Sequence, residues 1–591
     1  MANGDNVVWA MPALVTQQWG WLAHVTQSSK FQPFIKAHPV PCSFFQSIRL
    51  YSSMPKSRLI RIAPLTLLAL CLLLLWSQQP YIPAYSKVEQ RSPPDLLHVD
   101  NDNEHMARQK DHIESKRSVI EPVIHADDDG MEHLRFTHDI AVPVPIKPWT
   151  EADMHTMQTA LVGQSIVADL LTAPETMPDF KSLTYQQRVF KALFQYFDPL
   201  IAKGDIDLES DPQYKDAWSL YRRLEKTLYP WLRPFYNNAF HLTNTTSSRG
   251  IVICIGNHQF QYAATTIRAI RQVLKSQLPI QVFYIRDGDL TPTRKLYLET
   301  EFENVHTVAV VDRINDQFTK FGGWALKPYA ILASSFQEVI LMDADTFFFK
   351  KPDTLFDDAG YRKTGALFFY DRTLFANWDV GRNWLASFLP TMSSFVRETR
   401  WWRLLSAHEQ ESGVVVIDKK RALLGLLATC KMNDFRERDQ VTYKHMHGDK
   451  ESFWIGFEMV QTPYAFIKSY GAVIGSLDDQ PDGSMVCGNQ LHLGVDRQPL
   501  WWNGGLLRDK NKWPDLYLSF SHYAEGQDWD FQSSCIKDTN HIRELSFTER
   551  ALTQAYVAID AQRKEDEELI QQDRWKPREQ KVLEPVNSKE L

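Results

Sequence analysis

The feature that most constrains the fold is the alternation of short apolar runs and amphipathic segments between residues 250 and 350 of this 591-residue chain. The runs GIVICIG, PIQVFYIRDGD, VHTVAVVD and EVILMDADTFFFKK have the length and β-branched content of buried strands. The segments FQYAATTIRAIRQVLKS and GGWALKPYAILASSF have the apolar spacing of helices. This alternation predicts an α/β fold with a mostly parallel sheet, in which ligands collect beyond the carboxyl ends of the strands.

Two carboxylates stand where one of these strands ends. Asp343 and Asp345 follow the run EVILM and are separated only by Ala344. Both can reach one hard divalent cation, which in turn can hold a nucleotide diphosphate through oxygen ligands. The alternative is that one Asp caps a turn while the other faces water. A cation site is favoured because the apolar run TFFF follows, and burying two carboxylates is costly unless a cation neutralises them.

Other residues near predicted strand ends are candidates for substrate binding. Asn257 lies in the loop after the first strand, where a base or ribose is expected. Lys327, in WALKPY, can pair with a phosphate or face solvent from its helix. Aromatic side chains can stack on sugars or fill the core, and four stand in pairs: Trp401, Trp402, Trp501 and Trp502. No Walker loop or GxGxxG follows a strand, which argues against ATP hydrolysis and dinucleotide chemistry.

The N-terminal region contains one candidate membrane span. Residues 62–82 include the uncharged run IAPLTLLALCLLLLW and are long enough to cross a bilayer. Lys and Arg residues precede the run, which predicts an uncleaved signal anchor with the bulk of the chain in the lumen, a cleaved signal peptide being the alternative. We expect a cytosolic tail (1–61, of which 1–53 are a gene-model extension or a tail), the span (62–82), a flexible luminal stem (83–149), a helical subdomain (150–245), a catalytic domain (246–545) and a charged C-terminal helix or tail with a solvated face (546–591).

Composition narrows the class of protein further. The formal net charge is −7, which disfavours a nucleic-acid binder. Cysteines 254, 430, 487 and 535 fall in the predicted luminal part, where three pairings are open and Cys254 can equally be a buried free thiol. Asn244 begins an Asn-Thr-Thr glycosylation sequence.

Four segments in order resemble the fungal α-1,3-mannosyltransferase family over roughly residues 230 to 520. They are FGGWALKPYAILASSFQEVILMDADTFFFKKPDTLFD, HEQESGVVVIDK, HGDKESFWIGFE and QLHLGVDRQPLWWNGGLL. The resemblance implies a type II Golgi membrane enzyme with a GT-A-like nucleotide-sugar fold and a mixed sheet. It also implies a GDP-mannose donor, Mn²⁺, and transfer of mannose in α-1,3 linkage, with retention, to mannose-terminated glycans of glycoproteins.

The resemblance also implies roles for individual residues. Asp343 and Asp345 become the metal-binding pair. His492, in an element similar to the late His-x-x-Gly of glycogenin-like transferases, becomes a candidate third ligand, with a packed or surface histidine as the alternative. Residues 411–413 correspond to an Asn-x-Gly element of those enzymes and are candidate substrate contacts: Glu411, which departs from the pattern, Ser412 and Gly413.

The turn HGDKES lies near the anomeric carbon in the resembling families. Asp449 and Glu451 are therefore candidate catalytic residues, which stabilise the transition state or contact the acceptor. The alternative is a helix start, with Asp449 as N-cap and Glu451 in the first turn.

Two other functions stay open at this point. One is a related retaining transferase that uses a UDP-sugar, and the other is a catalytically silent luminal glycan-binding protein. The expected partners are the nucleotide sugar, the glycan acceptor, the membrane and a Golgi glycosyltransferase complex, and no nucleic acid.

Overall fold

The structure is a computed structural model that describes residues 134–142, 177–204, 206–243, 248–389, 391–480, 483–537 and 541–577. The predicted cytosolic tail, the predicted span and Asn244 of the glycosylation sequence lie outside the described residues, as does most of the predicted stem. Within the described ranges, no helix has both the length and the apolar character that a bilayer crossing requires.

The secondary structure alternates as predicted in the first half of the catalytic domain and becomes mainly β-structure after residue 464. The strands are β1 (His138–Ala141), β2 (Arg249–Cys254), β3 (Ile280–Tyr284), β4 (Val305–Ala309), β5 (Glu338–Met342), β6 (Phe347–Phe348), β7 (Ala366–Tyr370), β8 (Gln410–Asp418), β9 (Tyr464–Ile467), β10 (Ala472–Gln480), β11 (Gly483–Leu493), β12 (Pro499–Asn503), β13 (Leu507–Asp509), β14 (Trp513–Tyr517), β15 (His522–Ala524), β16 (Trp529–Asp530), β17 (Cys535–Ile536) and β18 (Ile542–Glu544).

The longer helices flank the strands. They are α1 (Phe180–Lys203), α2 (Lys215–Leu228), α3 (Phe260–Arg268), α4 (Pro292–Glu301), α5 (Leu326–Ala333), α6 (Asp379–Phe388), α7 (Lys419–Met432), α8 (Ser452–Met459) and α9 (Phe547–Gln571). Short helices span Asp316–Thr319, Ala359–Thr364, Ser394–Glu398, Phe435–Glu437 and Tyr443–His445.

The central sheet is mixed, with the strand order β1-β9-β7-β8-β5-β2-β3-β4. Strands β5, β2, β3 and β4 are parallel, whereas β8 is antiparallel to both β5 and β7. Successive side chains of these strands point to opposite faces, and each face is covered by its own apolar core. This arrangement confirms the predicted α/β fold.

A second sheet, which the sequence analysis did not predict, is built from the late strands in the order β16-β17-β11-β10-β15-β18, with β12 joining β11 to β6. A disulfide between Cys487 and Cys535 links β11 to β17, while Cys254 and Cys430 are buried free thiols. The disulfide and β12 tie the late strands into one unit beside the end of β5.

Three peripheral segments are more closely integrated than their sequences indicated. β1, within the predicted stem, pairs with β9 at the edge of the central sheet. Helices α1 and α2, predicted as a helical subdomain, share one apolar core with a face of the central sheet. Helix α9, predicted to be solvated, buries Tyr556, whose hydroxyl donates to the Phe348 carbonyl at 2.5 Å.

Lys419 at the start of α7 gives the chain a testable pH dependence. Its ammonium group is buried and donates to the carbonyls of Leu332 (3.3 Å) and Ser334 (2.6 Å). Burial, and then the charge of Arg313, lowers the pKa of Lys419 from 10.5 to about 7. Between these pH values the unfolded chain binds more protons than the folded chain, so the stability contribution of Lys419 increases with pH.

We therefore expect the free energy of unfolding of the wild type, relative to Lys419→Met, to increase by about 2 kcal/mol between pH 7 and pH 9. Urea denaturation of both proteins at the two pH values measures this difference. Equal pH dependence of the two proteins would contradict the assignment.

Candidate active site

Acidic residues converge at one edge of the central sheet because of the strand directions. β5 and β7 both end at this edge, and Asp343 and Asp371 directly follow them. The antiparallel β8 begins here, so Glu411 lies between them. Backbone hydrogen bonds fix the register: the Asp343 amide donates to the Gly413 carbonyl and the Asp371 amide donates to the Glu409 carbonyl, each at 2.8 Å. Residues as far apart in the sequence as Asp343 and Glu411 therefore lie in one site.

Lys327 is the buried counter-ion of Asp343. Its Nζ lies 2.7 Å from Asp343 Oδ1 and 3.9 Å from Asp449 Oδ2, and it donates to the carbonyl and hydroxyl of Ser412 at 3.2 Å. Burial alone would lower the pKa of Lys327, but the charges of Asp343 and Asp449 outweigh it and raise this pKa above its usual value. The alternative interpretation of Lys327 as a solvent-facing lysine is wrong, and the raised pKa keeps the side chain cationic inside the site.

Asp345 has a different counter-ion. It is 4% exposed, and its carboxylate forms an ion pair with Lys510, which follows β13. Burial tends to raise the pKa of Asp345, but the charge of Lys510 outweighs it and holds this pKa below its usual range. The Asp345 carbonyl also accepts from the Gly505 amide at 2.9 Å, which ties the Asp pair to the second sheet. Both carboxylates of the pair are therefore buried, and the lowered pKa keeps Asp345 ionised.

The donor set suits a divalent cation in part. Two neighbouring carboxylates are the oxygen ligands that hard cations take in proteins, usually together with substrate phosphates. A cation that uses Asp345 has to compete with the Lys510 ammonium group for the same carboxylate. No set of three His, Cys, Asp or Glu side chains that could hold a metal occurs in the described part of the chain.

His492 therefore does not join Asp343 and Asp345 as a third ligand in this structure. Pairing of β11 with β12 places His492 opposite Trp501, and their rings stack with centroids 3.8 Å apart. The imidazole is buried, and neither ring nitrogen has a hydrogen-bond partner. Trp501 and Trp502 are fully buried and belong to the core, as does Trp401, so the core interpretation of these tryptophans is correct.

A second ionic cluster, missed by the sequence analysis, lies beside the Asp pair. Lys450 Nζ is 2.8 Å from Asp371 Oδ2 and 2.6 Å from Glu411 Oε2. Asn503 Nδ2 donates to Glu411 Oε1 (3.1 Å) and to Asp343 Oδ2 (3.5 Å), so the two clusters are continuous. Burial opposes ionisation of Asp371 and Glu411, but the charge of Lys450 outweighs it and lowers the pKa of both carboxyls.

A signal for Asp371 was present in the sequence. The run ALFFYD ends in an Asp after an apolar strand, as EVILMD does. Lys450 had no such signal, because its partners come from two other segments of the chain.

Gly413 is required by close packing at the centre of the site. A Cβ there would lie 2.7 Å from Asn503 Nδ2 and 3.0 Å from Glu411 Oε1. The Gly413 amide also donates to Glu411 Oε1 at 2.9 Å. Residues 411–413, predicted as substrate contacts, therefore also build the wall of the site.

Asp449 and Glu451 have different surroundings. Asp449 is buried, and its Oδ2 has no hydrogen-bond partner. Burial raises the pKa of Asp449 to about 6. Glu451 accepts from the Glu409 amide (2.9 Å) and from Trp454 Nε1 (2.5 Å), and burial raises its pKa to about 8. Glu451 thus supports the backbone, and Asp449 is the one of the two whose carboxylate can accept a new contact.

Neither carboxylate caps the following helix. The N-cap residue of α8 is Glu451, and its side chain accepts no capping hydrogen bond from a backbone amide of the helix. The predicted alternative of Asp449 as N-cap is wrong, because its carbonyl, rather than its carboxylate, accepts from the Ser452 hydroxyl at 2.5 Å.

Asn257 lies at the carboxyl end of β2, as predicted. Its amide group donates to the Gly288 carbonyl (3.0 Å), and its Oδ1 accepts from the Thr291 amide (3.0 Å) and Arg294 Nη1 (2.7 Å). These bonds connect the loop after β2 to the segment after β3, where a nucleotide is expected in such a sheet.

Comparison with known proteins gives a consistent family match. The family described as "Mannosyltransferase putative" matches residues 248–379 and 389–493. "Putative alpha-1,3-mannosyltransferase MNN14" of Candida albicans is 28% identical over 344 residues, which cover 48% of this chain and 49% of that protein. "Alpha-1,3-mannosyltransferase MNT3" of Saccharomyces cerevisiae is 26% identical over 341 residues, which cover 51% of this chain and 50% of that protein.

The chain thus spans about half the length of the curated relatives it matches. Among solved structures, a galactosyltransferase LgtC with sugar analogues is 10% identical with a TM-score of 0.24, covering 35% of this chain and 70% of that one. Core-mannan synthase A of Aspergillus fumigatus is 12% identical with a TM-score of 0.24, covering 37% and 71%.

Proposed function

We propose that this chain is a member of the mannosyltransferase family whose model it matches, and that it transfers mannose from GDP-mannose to mannose-terminated glycans of glycoproteins, in α-1,3 linkage and with retention, on a GT-A-like fold. The observation that carries this proposal is the buried pair Asp343 and Asp345 at the end of a parallel strand, continuous with a second ionic cluster.

The chemistry of the pair supports a cation-assisted transfer. Mn²⁺ held by Asp343 and Asp345 would offset the negative charge that develops on the departing diphosphate, a contribution of several kcal/mol. Lys327 holds Asp343 in place, and Asn503 links Asp343 to Glu411. These contacts hold Asp343 and Glu411 in place before the reaction, as transition-state stabilisation requires, whereas a cation at Asp345 would displace Lys510.

The remaining residues support distinct roles within the reaction. Asn257 lies on the β2–β3 side of the Asp pair, which suits a nucleotide contact. Asp449 offers one unbonded carboxylate oxygen next to Lys327, which suits contact with the reacting sugar. The burial of Asp343, Asp345 and Asp449 limits access of water to these carboxylates, which favours transfer over hydrolysis.

The predicted localisation is part of the proposal. A single span at residues 62–82 would place the described residues in the Golgi lumen, in a type II orientation. The Cys487–Cys535 disulfide supports an oxidising compartment.

The decisive experiment incubates the purified chain with Mn²⁺, an α-mannoside acceptor and separate GDP-mannose, UDP-glucose and UDP-N-acetylglucosamine. We expect consumption of GDP-mannose alone and a disaccharide whose linkage NMR identifies as α-1,3. Consumption of a UDP-sugar would support the related retaining transferase. Binding of the mannoside without consumption of any donor would support a glycan-binding protein.

A further inference from the structure

The loop that follows β7 presents an aromatic ring to solvent from a fixed backbone. Phe375 is 51% exposed and has a positive φ of 56°, a conformation that bulky residues rarely adopt. Backbone hydrogen bonds hold the loop on both sides of this residue, from the Ala407 amide to the Leu374 carbonyl and from the Asn377 amide to the Leu404 carbonyl, each at 2.8 Å. The chain therefore maintains an exposed apolar ring at a defined position.

This ring is the outer end of a continuous row. Phe531 lies 5.2 Å from Phe375, and His408 lies 5.7 Å from Phe375. His447 lies 5.7 Å from His408, and Trp324 lies 5.3 Å from His447, all distances being between ring centroids. We call these five residues the aromatic row. Phe531 is 37% exposed and stands in the turn between β16 and β17, which the disulfide at Cys535 anchors.

The inner part of the row contacts the ionic clusters. His408 Nδ1 lies 3.8 Å from Asp371 Oδ2. Trp324 packs against Gly448, where an added Cβ would come within 2.8 Å of the indole. Asp449 follows Gly448 directly, so the row leads from the surface to the carboxylates of the candidate active site.

Buried polar atoms without partners lie at this inner part. His408 Nδ1 and Asp449 Oδ2 have no hydrogen-bond partner. Burial lowers the pKa of His408 to about 3, so its imidazole is neutral at physiological pH. Leaving a buried polar atom unsatisfied is unfavourable, and a ligand rich in hydroxyl groups would recover that loss.

Sheet order separates this row from the expected nucleotide position. Asn257 belongs to the β2–β3–β4 side of β5, whereas Phe375 follows β7, on the β8–β7–β9 side. A nucleotide-sugar donor bound on the β2–β3–β4 side would leave the β8–β7–β9 side free for the acceptor.

We propose that the aromatic row is the acceptor subsite and takes terminal mannose residues of a glycan. The apolar CH faces of the sugars pack on Phe375 and Phe531, and their hydroxyls bond to His408 and Asp449. Flat apolar rings that alternate with polar atoms match a sugar ring, which has an apolar face and a polar rim. This inference rests on the proposed function, since it assigns the second substrate of the same site.

The test replaces exposed rings whose removal leaves the core intact. We expect Phe375→Ala and Phe531→Ala each to raise the KM for methyl α-mannoside by roughly tenfold, with the KM for GDP-mannose unchanged. Phe547→Ala is the matched control, because Phe547 is 83% exposed at the start of α9 and lies outside the row. This control should leave both KM values unchanged, and thermal unfolding confirms that all three variants fold.

A second measurement separates this inference from the proposed function. Saturation-transfer NMR with methyl α-mannoside and no donor should show binding to the wild type and to Phe547→Ala, and a loss of signal in the two row variants. That result supports the subsite whichever donor is used. Unchanged binding and an unchanged acceptor KM in both row variants would overturn the inference, as would a rise in the KM for GDP-mannose alone.

Discussion

Asp345→Asn is expected to reduce mannose transfer by about a thousandfold while leaving the fold intact. The substitution keeps the shape of the side chain but removes the charge that would hold the cation. The cation would stabilise the transition state by several kcal/mol, and losing about 4 kcal/mol of that stabilisation slows the reaction by about a thousandfold. Asp345 is a cleaner target than Asp343, because its partner Lys510 is 17% exposed and can turn to solvent, whereas the partner of Asp343, Lys327, is buried. Donor consumption at saturating GDP-mannose and Mn²⁺ measures the effect.

The matched control for this substitution is Asp496→Asn. Asp496 is 46% exposed in its ion pair with Lys350, so this variant should retain activity near the wild-type level. A normal turnover rate in Asp345→Asn would show that the Asp pair is not the cation site. Mannoside binding without turnover in the wild type as well would favour the glycan-binding alternative.

Lys450→Met is expected to destabilise the chain by about 3–5 kcal/mol and to abolish transfer. It would leave Glu411 buried without its counter-ion and Asp371 with only the longer ion pair to Arg372, and removing one partner of a buried pair has a cost of this size. A shift in the midpoint of urea denaturation measures the loss of stability. The double variant Lys450→Met, Asp371→Asn should recover part of the lost stability, because the carboxylate of Asp371 that lost Lys450 is then replaced by a neutral amide.

Lys350→Met is the control that distinguishes the loss of a buried ion pair from the loss of a surface ion pair. Lys350 and Asp496 form an ion pair of the same 2.6 Å length on the surface, and such pairs contribute about 1 kcal/mol or less. Equal destabilisation by Lys350→Met and Lys450→Met would contradict the assignment of a buried ionic cluster.

Elements with local signals could be predicted from the sequence. The apolar runs that precede Asn257 and Asp343 identified strands β2 and β5 and the edge where ligands collect, because buried parallel strands need continuous apolar residues. The same reasoning would have identified Asp371 after ALFFY. The second sheet was not predicted, because several of its strands have only two or three residues and because β15 and β17 pair with β10 and β11 across long sequence separations.

Contacts of single polar residues were harder to predict. His492 had a motif, but its ring stacks on Trp501, which is determined by strand pairing between β11 and β12. Lys327 could face solvent or a phosphate on sequence grounds, and the structure instead buries it against Asp343 and Asp449.

The sequence by itself determined the α/β class, the strand that ends in the Asp pair and the resemblance to a mannosyltransferase family, because apolar periodicity and motif order are properties of neighbouring residues. Only the tertiary structure decided which charges neutralise each other and where an acceptor could lie. Lys450, Asp371 and Glu411 come from three segments. The two carboxylates meet because β7 ends, and the antiparallel β8 begins, at the same edge of the sheet, and Lys450 reaches both of them there. Electrostatic pairing depends on distance in space, and that distance is established only when the sheet forms.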